Sequence, residues 1–136
     1  MVVHEIMTRE PEFLETKQTL RDAVNKFREL NIRHLPVVHE GDLIGMVSDR
    51  DIAAFTRGLD VLAPSSVDAA LDRPMEDYMQ GDVLSVDEDT DVSEVIDTMI
   101  DQRIGALPVV DAHSGRLCGI VSYIDILRVA RPMLER

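Results

Sequence analysis

Cysteine, positive charge and long apolar runs are all scarce in this 136-residue chain, and each shortage excludes something. Cys118 is the only cysteine, so neither an internal disulfide nor a cysteine-based zinc site is possible. Its place just before Gly119 in an apolar run is that of a small buried filler. Fourteen Lys and Arg face 26 Asp and Glu, and the net charge of -12 argues against delocalised attraction to nucleic-acid backbones or anionic membranes. No apolar run approaches the roughly 18 residues of a membrane span. The start, Met1-Val2-Val3-His4-Glu5, has neither the cationic nor the apolar region of a secretory leader, so the expected location is the cytoplasm.

Catalytic patterns are missing too. No serine sits in a nucleophile elbow, no phosphate-cradling Walker loop occurs, and no carboxylate pair can be placed across a cleft. His4, His34, His39 and His113 share no helical i, i+4 spacing, so no metal site is expected. These absences point away from an enzyme and from any catalytic cofactor.

An apolar fraction of 45% is too high for disorder, and 29% charged residues suit a soluble globular surface. The length fits one ordinary domain or two very small ones, and halves of about 65 residues would need to pack together for a firm core. Lys17 and Lys26 are the only lysines. The remaining cations are Arg, which recognises phosphate in a fork or simply solubilises the surface. Asp87-Glu88-Asp89 and Glu76-Asp77 read as solvated acidic patches or a surface for a basic partner.

The chain says the same thing twice. Sliding it so that Met7 falls on Met79 also places Ile32 on Ile104 and Leu35-Pro36-Val37-Val38 on Leu107-Pro108-Val109-Val110. Two extra residues near Ala112-His113-Ser114 shift the register. Thereafter Gly41 falls on Gly115, Gly45 on Gly119, Ser48 on Ser122 and Asp51 on Asp125.

Each copy reads β-α-β-β-α. A short extended segment (near Phe13 to Glu15, and Val83 to Val86) leads to a capping box in acidic form, Thr19 with Asp22 and Asp91 with Glu94. Helical stripes of Leu20, Ala23, Val24, Phe27 and Leu30, and of Val92, Val95, Ile96, Met99 and Ile100, are assigned to the core. Hairpins turn through His39 to Asp42 and Asp111 to Gly115. Second helices run from about Asp49 to Thr56 and from about Tyr123 to Ala130. The fold class is α+β, divided into a first repeat over residues 1–57, a connector over 58–74 with one helical turn near Val67 to Leu71, and a second repeat over 75–136.

Gly45-Met46-Val47-Ser48-Asp49-Arg50-Asp51 and Gly119-Ile120-Val121-Ser122-Tyr123-Ile124-Asp125 close the two copies. A glycine admits close approach to the backbone, and a hydroxyl and a carboxylate stand where a helix begins with unpaired N-H groups. Such a place suits a ribose and a phosphate. The structural alternatives are a serine N-cap, a carboxylate favoured by the helix terminus, and a glycine at which a helix packs close on the sheet.

On these motifs the chain resembles a tandem pair of cystathionine β-synthase (CBS) domains, a Bateman module, over roughly residues 2 to 130. They are Met7-Thr8 and Met79-Gln80, Ile32-Arg33-His34-Leu35-Pro36 and Ile104-Gly105-Ala106-Leu107-Pro108, and Gly-h-h-Ser-x-x-Asp twice, where h is apolar. The resemblance implies two repeats packed as a pseudo-twofold pair. It also implies a regulatory module binding AMP, ADP, ATP or S-adenosylmethionine in clefts between them, and a homodimeric disc. In such pairs the Ser and Asp of one repeat face the strand-entry residues of the other.

One implied set is therefore Ser122, Ile124 and Asp125 with Pro11, Glu12, Ile32, Arg33 and His34. Asp125 would accept from ribose hydroxyls, Ser122 would reach ribose or phosphate, and Ile124 and Ile32 would flank the purine. Arg33, and His34 if protonated, would face phosphate. The other set is Ser48, Arg50 and Asp51 with Val83, Leu84, Ile104, Gly105 and Ala106. It lacks the cation of Arg33-His34, which Arg50 or Arg73 would have to supply, or else it stays empty or takes an uncharged or zwitterionic adenosyl ligand. The expectation is a sensor that signals to an effector protein on another polypeptide, with no nucleic acid and no membrane as partner. The alternative is a ligand-free dimeric scaffold for protein contact.

Overall fold

The computed structural model describes residues 1–57, 64–79 and 83–135. Residues 58–63 of the expected connector and Gln80 of the Met79-Gln80 motif lie outside that set. Along the chain run β1 (Thr8–Arg9), β2 (Leu14–Glu15), α1 (Leu20–Leu30), β3 (His34–His39), β4 (Asp42–Ser48), α2 (Asp49–Thr56) and α3 (Pro64–Leu71). Then come β5 (Val86–Asp87), α4 (Val92–Gln102), β6 (Ala106–Val110), β7 (Leu117–Ser122) and α5 (Tyr123–Leu134). The doubled β-α-β-β-α reading holds, with local differences. The second extended segment becomes a strand only at Val86 and Asp87, where it runs parallel to β6. The connector helix has eight residues, and α5 runs on to Leu134 with Pro132 inside its last turn.

Strands follow the same order in both copies. β2 lies parallel to β3 and β4 antiparallel to it, with His34 opposite Ser48. β5 lies parallel to β6 and β7 antiparallel to it, with Ala106 opposite Ser122. Glu40 (φ 51°) and Gly41 (φ 89°) make the first hairpin turn, and two successive positive φ values match the twist of the strands it joins. The second turn is held instead by the Asp111 carboxylate, which accepts from His113 N (2.9 Å) and Ser114 N (2.8 Å).

The two first helices start differently. Asp22 N donates to Thr19 Oγ1 at 3.2 Å and Thr19 N to Asp22 Oδ2 at 2.9 Å, the expected reciprocal box. At α4 the Asp91 carboxylate is taken by Ser93, through its N-H at 2.9 Å and its hydroxyl at 2.8 Å. Ser93 thus fills the role read into Glu94, and its two donors hold the Asp91 carboxyl below its usual range.

Two compact units emerge, and they do not follow the sequence copies. One joins Met1–Pro11 to Leu84–Arg136, and the other is Glu12–Val83. Each leader segment folds with the other copy. Val3 N donates to Thr90 O and Val92 N to Met1 O, both at 2.9 Å, and β1 pairs with β7. In the other unit Met75 N donates to Gln18 O at 2.7 Å and Leu20 N to Arg73 O at 3.1 Å.

The cores correspond position by position. Val3, Val95, Leu107, Val109 and Val121 centre one, and Met75, Ala23, Leu35, Val37 and Val47 centre the other. Burying each such Val, Leu or Met contributes about 1.5 to 3 kcal/mol. Two residues assigned to the core stripes are exposed, Leu30 at 43% and Ile100 at 67%. Ile100 follows the buried Met99, and one residue turns a helix by about 100°, off the core face.

Candidate functional site

The repeated spacing of the closing motif is built by the hairpin that precedes it. In the Glu12–Val83 unit, β4 ends at Ser48 and α2 begins at once. Ser48 is the N-cap. Its N-H donates to Asp51 Oδ2 at 2.7 Å, and Asp51 N donates to Ser48 Oγ at 3.1 Å. Both structural alternatives read from sequence, the serine cap and the terminus-favoured carboxylate, are therefore realised together. Asp51 Oδ1 accepts no hydrogen bond among the described residues.

Strand pairing then brings the strand-entry residues of the same copy to this mouth. With His34 opposite Ser48, Asp49 N donates to Arg33 O at 3.1 Å. Above that backbone bond Arg33 Nη1 pairs with Asp49 Oδ2 at 2.9 Å, the Arg33 side chain remaining 74% exposed. His34 is half-buried, and burial pushes its imidazole below its ordinary value, opposed by Asp49 and Asp51. Arg33, expected to face phosphate, is paired with Asp49, and His34, expected to do so only when protonated, is biased toward neutral. Asp49 was missed from the sequence, although the expected hairpin register sets it beside Arg33.

The other unit repeats this frame with different side chains. Ser122 caps α5, Asp125 Oδ2 accepts from Ser122 N at 2.8 Å and from Ser122 Oγ at 3.1 Å, and Oδ1 again accepts nothing among the described residues. Tyr123 N donates to Gly105 O at 2.9 Å, the counterpart of the Asp49 to Arg33 bond. Where the first mouth carries Arg33, His34, Asp49 and Arg50, this one carries Gly105, Ala106, Tyr123 and Ile124. Tyr123 and Ile124 are 49% and 40% exposed.

Of the other candidates, Ile32 and Ile104 are partly buried against their own cores. Glu12 and Val83 are the ends of the Glu12–Val83 unit, and Pro11 and Leu84 stand at the break in the other unit. Glu12 accepts from Lys26 Nζ at 3.4 Å. Arg73, considered as a spare cation, pairs with Asp77 at 3.2 Å and lies over the Tyr78 ring at 5.5 Å. Arg50 is exposed and has no ion pair among the described residues. Each implied ligand set takes its residues from both units.

Gly45 and Gly119 lie against methionine side chains rather than against a helix. A Cβ at Gly119 would stand 2.5 Å from Met7 Sδ and 3.0 Å from Thr8 O, and one at Gly45 would run into Met79 Sδ. The glycines make room for the methionine of the leader segment folded against them, which also explains why each copy has a methionine near its start. Among the described residues no helix is long and apolar enough to cross a membrane, and no His, Cys, Asp and Glu cluster could hold a metal ion. Burial raises the Cys118 thiol above its usual range, leaving it largely protonated near neutral pH.

The pattern of the CBS domain family matches residues 3–58 and again 75–131. An uncharacterized 33.4 kDa protein in a ribosomal RNA operon of Thermofilum pendens is 35% identical over 128 residues. That match covers 92% of this chain, which spans 42% of the relative's length. The crystal structure of AcuB from Vibrio cholerae is similar at 34% identity and a TM-score of 0.79, covering 98% of this chain and 93% of that one. The CBS domain pair of protein MJ0100, solved in complex with 5'-methylthioadenosine and S-adenosyl-L-methionine, is similar at 29% identity and a TM-score of 0.75, covering 98% of both chains.

Proposed function

Because the chain belongs to the CBS domain family, we propose that it is a regulatory module that binds an adenosine-containing molecule and signals to a partner protein without turning the ligand over. The observation that carries this reading is the mouth built twice. In each, a capping box fixes one carboxylate oxygen and leaves the other open at a helix N-terminus. A carboxylate so oriented suits the paired hydroxyls of a ribose. The likeness to a pair solved with methylthioadenosine and S-adenosylmethionine supports the same ligand class.

Asp125, Ser122 and Ile124, with Pro11, Glu12, Ile32, Arg33 and His34, form the preferred set. Asp51, Ser48 and Arg50, with Arg73, Val83, Leu84, Ile104, Gly105 and Ala106, form the second. The Arg33 to Asp49 pair adds a condition: a phosphate would have to draw Arg33 away from Asp49. An uncharged or zwitterionic 5' substituent would not. Calorimetry on ligand-stripped protein with AMP, ADP, ATP and S-adenosylmethionine is the test. Binding of at least one below about 1 mM, roughly -4 kcal/mol, is expected, and no heat from any of them would end the sensor reading.

A homodimer belongs to the same reading. Should the pockets bind nothing, the dimer alone would serve as a scaffold for protein contact, a second reading favoured by apolar side chains exposed on α4 and α5.

A further inference from the structure

In both mouths one backbone bond ties the first residue of the helix to the residue just before the paired strand, and in one mouth both of those residues are charged. Asp49 opens α2 and Arg33 immediately precedes β3. The bond from Asp49 N to Arg33 O at 3.1 Å holds the two residues side by side, and their side chains close a second bond, Arg33 Nη1 to Asp49 Oδ2 at 2.9 Å. In the other copy the same backbone bond joins Tyr123 N to Gly105 O at 2.9 Å, with no charge on either residue. The frame therefore stands without an ion pair, and the pair belongs to these two side chains and not to the fold.

Arg33 and His34 are the only residues of the preferred ligand set that can carry positive charge, and burial biases His34 toward neutral. Asp49 belongs to neither set. Its carboxylate lies in the first turn of α2, where the positive end of the helix favours it. Asp51, the other acid of that turn, is committed through Oδ2 to Ser48 N. Arg50, one residue on, is turned about 100° round the helix axis from Asp49 and is assigned to the second set, so it does not stand in for Arg33. With Asp49 in place, Arg33 presents no net positive charge. A phosphate has to break the pair and then stands beside a carboxylate, whereas an uncharged 5' group leaves the pair intact.

We propose that Asp49, by holding Arg33, sets the ligand preference of this module: adenosine derivatives with an uncharged 5' group are favoured over those with a 5' phosphate. The inference rests on the adenosine-binding reading of the proposed function and narrows it to one ligand class. Asp49 is a positioning residue, acting through Arg33 and not by touching the ligand.

The test is calorimetry on the ligand-stripped full chain at about pH 8, where His34 is neutral, with adenosine and AMP as paired probes. The wild type binds adenosine at least as tightly as AMP. Asp49→Asn keeps the size of the side chain while removing its charge; it tightens AMP about fivefold, equivalent to about 1 kcal/mol, and shifts adenosine by less than about twofold. In an Arg33→Ala background the same substitution changes AMP by less than about twofold, and Asp49→Glu keeps the wild-type preference. A general loss of structure would weaken both probes together and leave their ratio unmoved. A wild type that prefers AMP, an Asp49→Asn variant with an unchanged ratio, or a gain for AMP that persists without Arg33 overturns the role of Asp49 while the adenosine reading stands. If neither probe binds any of these proteins, the adenosine reading falls and the inference falls with it.

Discussion

The mouths of α2 and α5 are the same backbone with opposite side-chain chemistry. In both, a strand ends in a capping serine, the third helical residue closes the box, and the first helical N-H donates to the carbonyl just before the paired strand. One is then dressed with Arg33, His34, Asp49 and Arg50, the other with Gly105, Ala106, Tyr123 and Ile124. The comparison separates what the fold demands from what the sequence has been free to vary. Serine and aspartate are common to both because the cap requires them locally. The residues around them differ because nothing in the cap restricts them.

The glycines offer the sharpest way to test how alike the two copies are. Gly119→Ala should cost about 1 to 3 kcal/mol, an overpacking cost, because its Cβ would press on the Thr8 carbonyl as well as on Met7. Gly45→Ala should cost less, since only the flexible Met79 side chain stands near. Denaturant titration of both variants checks the order, and equal losses would mean that Thr8 can retreat.

The capping serines should be matched. Ser48→Ala and Ser122→Ala each remove one side of a capping box and should each lower stability by about 1 kcal/mol. Thermal melts in which one variant loses most of the stability and the other none would contradict equal frames.

A pH profile should expose a titrating difference between the mouths. His34 has a folded value below its ordinary one, so the unfolded chain takes up the proton first as pH falls. Its contribution is intact above about pH 6.5 and is lost as pH drops from there through the folded value. His34→Asn should remove that part of the acid destabilisation, and a profile unchanged by the substitution would count against it. No counterpart is expected in the other copy, where Ala106 stands.

The smallest effect concerns Arg33. Its pair with Asp49 is exposed, so Arg33→Ala should change stability by about 0 to 1 kcal/mol, and by less at high salt. A larger loss would mean that the pair organises the mouth.

Much of this was legible from the chain because it is encoded over short distances. The doubled motif, the hairpins, the Thr19 box and the capping serines each depend on residues within a few positions of one another. The exchange of leader segments was not legible. Met7 meets Gly119 across most of the chain, and a glycine alone does not reveal what approaches it. Ile100 was assigned to the core because an apolar residue beside a buried one looks the same in sequence whether it turns inward or outward. At the site, Arg33 looked free because its partner Asp49 lies beyond a whole hairpin, and the burial that biases His34 toward neutral exists only once β3 and β4 pair. The partner of Asp91 was not legible because Ser93, two positions on, and Glu94, three positions on, both lie within reach of the cap, and only the folded turn selects Ser93.

The direct test of the ligand claim is calorimetric comparison of the wild type with Asp125→Asn, using whichever adenosine-containing ligand binds most tightly. The substitution keeps size and helix position while removing the charge that ribose hydroxyls would meet. A hydrogen bond to a charged group contributes about 1.5 to 3 kcal/mol, so affinity should fall about tenfold or more. Unchanged affinity in Asp125→Asn would contradict the account.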